Sequence, residues 1–272
     1  MREGEGSVNP SLNVVDAHVH LGPPKYAAVD EYLATMGAEQ ISGAILVQHM
    51  GNSDNGYLGK VRAAHPKLFG ALAIVEAVED AAAVLDAGFA GLRLSPRGLA
   101  GADGCQVFDV LSQHKATVSV TGPLTEVISE EFLATVRSHP HVGFRIEHLG
   151  GFRYGTGIPD RDDFRRLLRL SGESNVTLMW SGFFLNAGSG YPYPNTHGYL
   201  TETLEAFASE RIMWSGDWNR AGLAAGEYRR AIELVGAVVP DPDQQADILG
   251  RTAQRFFGLS PNIRGDGEHV GV

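Results

Sequence analysis

Asn13-Val14-Val15-Asp16-Ala17-His18-Val19-His20 is an apolar, β-branched run that ends in two histidines, and Gly22-Pro23-Pro24 follows it. It reads as a short strand, residues 13–17, closed by a turn. Seven runs of the same kind follow, at residues 43–48, 69–75, 91–94, 116–120, 143–147, 176–180 and 212–215. Several are apolar throughout rather than alternating, which suits parallel strands covered on the outside by helices. Between them lie segments of helical period, at residues 29–39, 55–65, 78–87, 106–114, 125–138, 160–171, 199–208 and 221–238, with a ninth at 243–257. Asp160 and Asp241 are placed to cap helices, and Gly88 and Gly172 to end them. Pro66 and Pro140-His141-Val142-Gly143 mark helix-to-strand turns.

Eight strand–helix pairs in series predict an α/β fold, a (β/α)8 TIM barrel forming a single domain, with its core at about residues 13–259 and polar tails at both ends. A doubly wound open sheet is the alternative. It is disfavoured because no Gly-rich dinucleotide fingerprint follows the first strand. Residues 182–198 break the rhythm and are too rich in Gly and Pro for a helix. A long loop after a barrel strand lies on the active-site face, so this one is expected to form a lid.

The chain has 272 residues, of which 43% are hydrophobic and 20% charged, enough apolar material for a sizeable core. A net charge of −10 argues against nucleic-acid or anionic-membrane partners, which would repel it. Cys105, the sole cysteine, cannot form an internal disulfide, and a structural role is expected for it. No apolar run approaches the roughly 18 residues of a membrane span, and the polar start is unlike a signal peptide. A cytoplasmic enzyme acting on a small molecule is the expectation, with a homodimer as the commonest assembly.

Alternate residues of a strand share a face, so His18 and His20 can project together into the barrel mouth and suit a divalent metal. They can equally pack or hydrogen-bond at the barrel end. Asp217 follows the eighth strand in Ser215-Gly216-Asp217-Trp218, next to the first strand once a barrel closes. There it can ligate a metal and accept a proton from water, or simply cap the helix from Ala221. His148, ending the sixth strand, faces the mouth by the same geometry and can polarise a carbonyl or act as acid or base. Its neighbour Glu147 is expected to point outward. Arg93, Arg97 and Arg153 are candidates for gripping a substrate carboxylate, against the surface roles that most arginines have. Tyr191, Tyr193 and His197 are candidate lid contacts that can also merely pack the loop, and His49 is a weaker mouth candidate.

Taken together, Asp16-Ala17-His18-Val19-His20, Glu147-His148-Leu149-Gly150, Ser215-Gly216-Asp217-Trp218 and residues 248–259 resemble the amidohydrolase superfamily, in its branch of small-acid decarboxylases and lactonases. The pieces span nearly the whole chain in the family's order. The resemblance implies a reaction centre at the strand C-termini, with His18 and His20 as the strand-one pair, His148 from strand six and Asp217 from strand eight. Metal-using decarboxylases of this branch usually add a histidine after the fifth strand, where this chain reads Ser119-Val120-Thr121-Gly122-Pro123. His18, His20 and Asp217 can still hold one zinc or manganese ion with water completing the shell. Lactonases of the branch can work without a metal, using the aspartate to activate water.

The leading expectation is therefore a hydrolase of a small, anionic lactone or related carbonyl compound, with Asp217 as general base on water. His148 and an arginine would orient the substrate. A metal-dependent non-oxidative decarboxylase is the second expectation. A catalytically silent barrel that serves as a binding or partner protein is the third.

Overall fold

The structure, a computed structural model, describes residues 12–100, 102–154, 160–218 and 226–259, with only the backbone at residues 100 and 102–105. Both polar ends, the Cys105 side chain and the start of the helix expected from residue 221 lie outside the described residues. So does the capping role considered for Asp217.

Eight strands are present: β1 (Val14–Val19), β2 (Ile41–Val47), β3 (Phe69–Ala73), β4 (Gly91–Leu94), β5 (Thr117–Val120), β6 (Phe144–Ile146), β7 (Val176–Trp180) and β8 (Ile212–Trp214). They pair in sequence order, and every pairing from β1–β2 to β7–β8 is parallel. With helices between them they make a nearly closed (β/α)8 barrel. At the seam between β8 and β1 the ladder among the described residues reduces to one bridge, Val19 with Trp218.

β1, β2, β3 and β7 are buried along their whole length, which is why their sequences do not alternate. Outward residues such as Val118, Phe144 and Leu178 pack under the helices. Inside, Val15, Ala17, Met179 and Met213 pack against Ala253, Phe256 and Phe257, while Ile45, Val47 and Leu72 meet Phe257 and Leu259. The C-terminal segment thus plugs one end of the barrel, and the strand C-termini are left to form the site.

The helices follow the expected segments with informative exceptions. Asp160 caps Arg161–Arg169 by accepting from the Asp162 and Asp163 amides, and Asp241 caps Pro242–Ala246 through the Asp243 amide. The single helix expected over residues 125–138 is two, Leu124–Val127 and Glu130–Ser138, because Ser129 caps the second by accepting from the Phe132 amide. Within residues 182–198 the expectation of no helix is corrected by one turn, Phe183–Asn186, which Phe183 anchors in the core, and by the next helix, His197–Phe207, which starts inside the segment. The rest of that loop is pinned by Tyr193, which is buried and bonds its hydroxyl to Glu227. Among the described residues no helix is long and apolar enough to cross a membrane.

Candidate active site

β1 does not run as a regular strand to its end. Asp16 lies opposite Ala44 and Val19 opposite Leu46, so β1 advances three residues while β2 advances two. The extra residue is a bulge, which bends a strand and re-aims its side chains. Its effect is that Ala17 joins the interior apolar cluster and its neighbour His18 still reaches interior groups. His18 Nε2 lies 3.1 Å from His20 Nε2. Asp217 Oδ1 comes across the seam to 3.9 Å from the first nitrogen and 4.0 Å from the second. All three residues are buried.

Asp217 and His148 share an unusual backbone. Their φ values are +51° and +50°, in the left-handed region that costs a non-glycine residue about 1 kcal/mol or more. Such strain gathers where a side chain must be aimed, and both side chains line one cavity of about 590 Å³. Gly122, Leu124, Arg153, Gly182, Leu185 and Asn186 also line it. His148 Nδ1 is 2.6 Å from the Ser181 hydroxyl, and its ring meets His18 edge-on at 5.0 Å.

Beneath the histidines lies a network that the sequence reading missed. Glu147 does not point outward: it is buried in the barrel and accepts from Arg93 Nη2 at 2.7 Å, Arg93 Nε at 3.0 Å and the Ser119 hydroxyl at 2.5 Å. Strand alternation is the reason. Phe144 and Ile146 take the outer face, so Arg145 and Glu147 share the inner one. Arg145 is fully buried, gives hydrogen bonds to Ser119 and the Ala17 carbonyl, and stacks over the Phe257 ring. Two charged residues flanking Ile146 were the available signal.

The electrostatics follow from burial. Desolvation, then the charge on Arg93, lowers the His20 pKa to about 3, and desolvation with the neighbouring His20 holds His18 well below 6.5. Both rings are therefore neutral at pH 7. Burial alone would raise the pKa of Glu147, but Arg93 and Arg145 outweigh it and keep the carboxyl ionised. Burial also pushes Asp16 up to about 6.

These shifts set the sign of the pH dependence. As pH falls through 6.5 the unfolded chain takes up protons at His18 and His20 that the native chain refuses, so stability falls. Asp16 opposes this between about 4 and 6, because there the native carboxyl holds the proton. The net difference of one proton predicts a loss of about 1.4 kcal/mol per pH unit between about 5 and 6, and a steeper loss as pH falls through 4.5, where the unfolded chain also protonates Glu147. Denaturant midpoints of the chelator-treated protein at pH 4.5 to 7 measure it, and a flat or inverted profile contradicts it.

A divalent ion fits one group of residues. In a tetrahedral shell with bonds of about 2.0–2.1 Å, ligand atoms sit about 3.3 Å apart; the two histidine nitrogens stand 3.1 Å apart, and Asp217 Oδ1, at 3.9 and 4.0 Å from them, would close in by a few tenths of an ångström to complete the group. His20 Nδ1 donates to the Val47 carbonyl at 2.7 Å, which leaves the Nε2 lone pair of the neutral ring facing the other two. A second group, His18, Glu147 and His148, is also close enough, but two guanidinium groups already occupy its carboxylate. The place after β5 holds no third imidazole: Ser119 serves Glu147 and Arg145, and Gly122 opens onto the cavity.

The other candidates are dispersed. Arg93 is buried and spent on Glu147 and the Gln48 carbonyl. Arg97 is exposed and paired with Glu126, off the cavity wall. Arg153 is the arginine among the described lining residues. Tyr191 lies exposed under Arg230, Tyr193 packs the loop, and His197 bonds the Pro192 carbonyl; none of the three lines the cavity. His49 stands beside Lys25 and Tyr26, and the Tyr26 ring stacks on His20 at 5.1 Å.

A barrel with paired histidines from its first strand and an aspartate from its last defines an amidohydrolase-type site. The chain belongs to the amidohydrolase family, whose model matches residues 15–259. A search of curated proteins gives no match. Among solved structures it is similar to a probable 2-pyrone-4,6-dicarboxylic acid hydrolase from Acinetobacter baumannii with citric acid bound, at TM-score 0.71 and 18% identity over 91% of this chain and 100% of that one. It is also similar to a zinc-bound amidohydrolase from Burkholderia multivorans, at TM-score 0.76 and 18% identity over 91% and 100% of the two chains. A third is 2,6-dihydroxybenzoate decarboxylase from Rhizobium, at TM-score 0.67 and 16% identity over 91% and 99%. At such identities the likeness shows the fold alone.

Proposed function

We propose that the protein hydrolyses a small anionic lactone or related carbonyl compound. The observation that carries this reading is the Asp217 carboxylate, held on the cavity wall within 4.0 Å of two neutral imidazoles. Asp217 takes a proton from water as its oxygen adds to the carbonyl carbon. The ring C–O bond then breaks, and the leaving oxygen takes up a proton to give a hydroxy acid. His148 lies where it can hydrogen-bond the reacting carbonyl, and Arg153 can pair with a carboxylate farther out. A zinc or manganese ion on His18, His20 and Asp217 would supply Lewis-acid polarisation of that carbonyl.

Decarboxylation is the second reading, and the three-residue metal group is what favours it. Elemental analysis of the purified protein, before and after chelator, bears on the choice. About one tightly held ion per chain that is essential for turnover favours decarboxylation. Ring opening that survives chelation favours hydrolysis driven by Asp217.

A panel of carboxylated lactones, followed by acid release in weak buffer, tests the main reading, and failure of the whole panel would sink it. Arg153→Ala is expected to raise KM about 10–100-fold with kcat little changed, the value of one charge-assisted hydrogen bond of about 1.5–3 kcal/mol. An unchanged KM removes Arg153 from the site.

A further inference from the structure

The three residues of the candidate metal group sit on opposite sides of the barrel's weakest seam. His18 and His20 belong to the β1 side and Asp217 to the β8 side, while the backbone ladder there is a single bridge among the described residues. A crossed pair of side chains ties the two sides together. From the β1 side, Asp16 Oδ1 accepts from the His18 amide at 3.0 Å and from the Gly216 amide at 3.3 Å. From the β8 side, the Ser215 hydroxyl donates to the His18 carbonyl at 3.2 Å and accepts from the Asp217 amide at 2.9 Å. Tyr228 backs the arrangement by donating its hydroxyl to Asp16 Oδ2 at 2.6 Å. Its ring lies so close on Gly216 that a Cβ there would overlap it. Asp16 and Ser215 are fully buried.

Each of the four bonds made by Asp16 Oδ1 and the Ser215 hydroxyl ends on the backbone of a site residue or of its neighbour. We propose that Asp16 and Ser215 are positioning residues, a crossed staple that sets the separation of Asp217 from His18 and His20 and so the affinity of the site for a divalent ion. The inference rests on the metal-holding part of the reading above. A bare structural role at the seam would instead lower stability and leave the three side chains in place.

Cobalt(II) titrated into the purified full chain, read by its visible ligand-field bands, is the probe. Ser215→Ala is expected to keep its circular dichroism and to bind cobalt about 10–100-fold more weakly, as loss of an outer partner of metal ligands does. Asp16→Asn keeps Oδ1 as an acceptor and is expected to recover most of the affinity that Asp16→Ala loses. A folded Ser215→Ala with wild-type affinity and spectrum overturns the proposal. If Ser215→Ala does not fold, the same comparison passes to Tyr228→Phe, which removes one hydroxyl. If the wild-type chain takes up no cobalt, the metal reading falls by itself. The staple is then judged from crystal structures: Asp217 displaced from the histidines in Ser215→Ala upholds it, and Asp217 unmoved overturns it.

Discussion

Asp217→Asn is expected to fold like the parent chain and to lose turnover by about 10²–10⁴-fold, the usual contribution of a general base. Asparagine keeps the shape of the side chain, and it is among the residues that tolerate the left-handed backbone found at this position, φ +51°. It cannot take a proton from water. The loss should fall on kcat, because the proton moves only as the transition state forms. Circular dichroism and a thermal melt establish folding, and ring-opening rates on the best lactone of the panel measure the effect. Full activity in a folded variant removes Asp217 from the chemistry.

The largest expected effect on stability comes from Glu147. Its carboxylate is the shared acceptor for Arg93 and Arg145, all three groups buried inside the barrel. Glu147→Ala leaves two guanidinium groups in a low-dielectric interior without their counter-charge. Breaking a buried ion pair from one side costs about 3–5 kcal/mol. For a chain of this size that lowers Tm by on the order of 10 °C. Glu147→Gln, which keeps an acceptor oxygen, should lose less. A melt of Glu147→Ala within a degree or two of the parent contradicts this account of the interior.

The fold was legible because each strand is a separate apolar run. The limits of β4 and β7 match the expected segments, and the others shift by one or two residues at one or both ends. Asp160 and Asp241 carried readable capping chemistry. Ser129, followed by Glu130 and Glu131, carried it too, but the continuous apolar period across residues 125–138 hid the break. At the site, spacing alone brought His18 and His20 together. The bulge that lets Ala17 and His18 both reach the interior leaves no mark in one sequence, because it depends on the register with β2.

Alternation alone misplaces Glu147, because it carries the inward face of the strand on to His148. In the structure β6 ends at Ile146 and His148 turns into a left-handed conformation, so consecutive residues both reach the site. Arg93 and Arg97 stand four residues apart in the sequence, yet one is buried against Glu147 and the other exposed beside Glu126. What separates them is the partner each meets, and that is a property of the closed barrel.

One measurement addresses the central claim directly: a substrate bearing both a lactone and a carboxylate, turned over in ¹⁸O-water with carbon dioxide monitored at the same time. The account predicts one ¹⁸O in the new carboxyl group of the product, release of a proton and no carbon dioxide. Stoichiometric carbon dioxide with the lactone ring intact would contradict it and make the protein a decarboxylase.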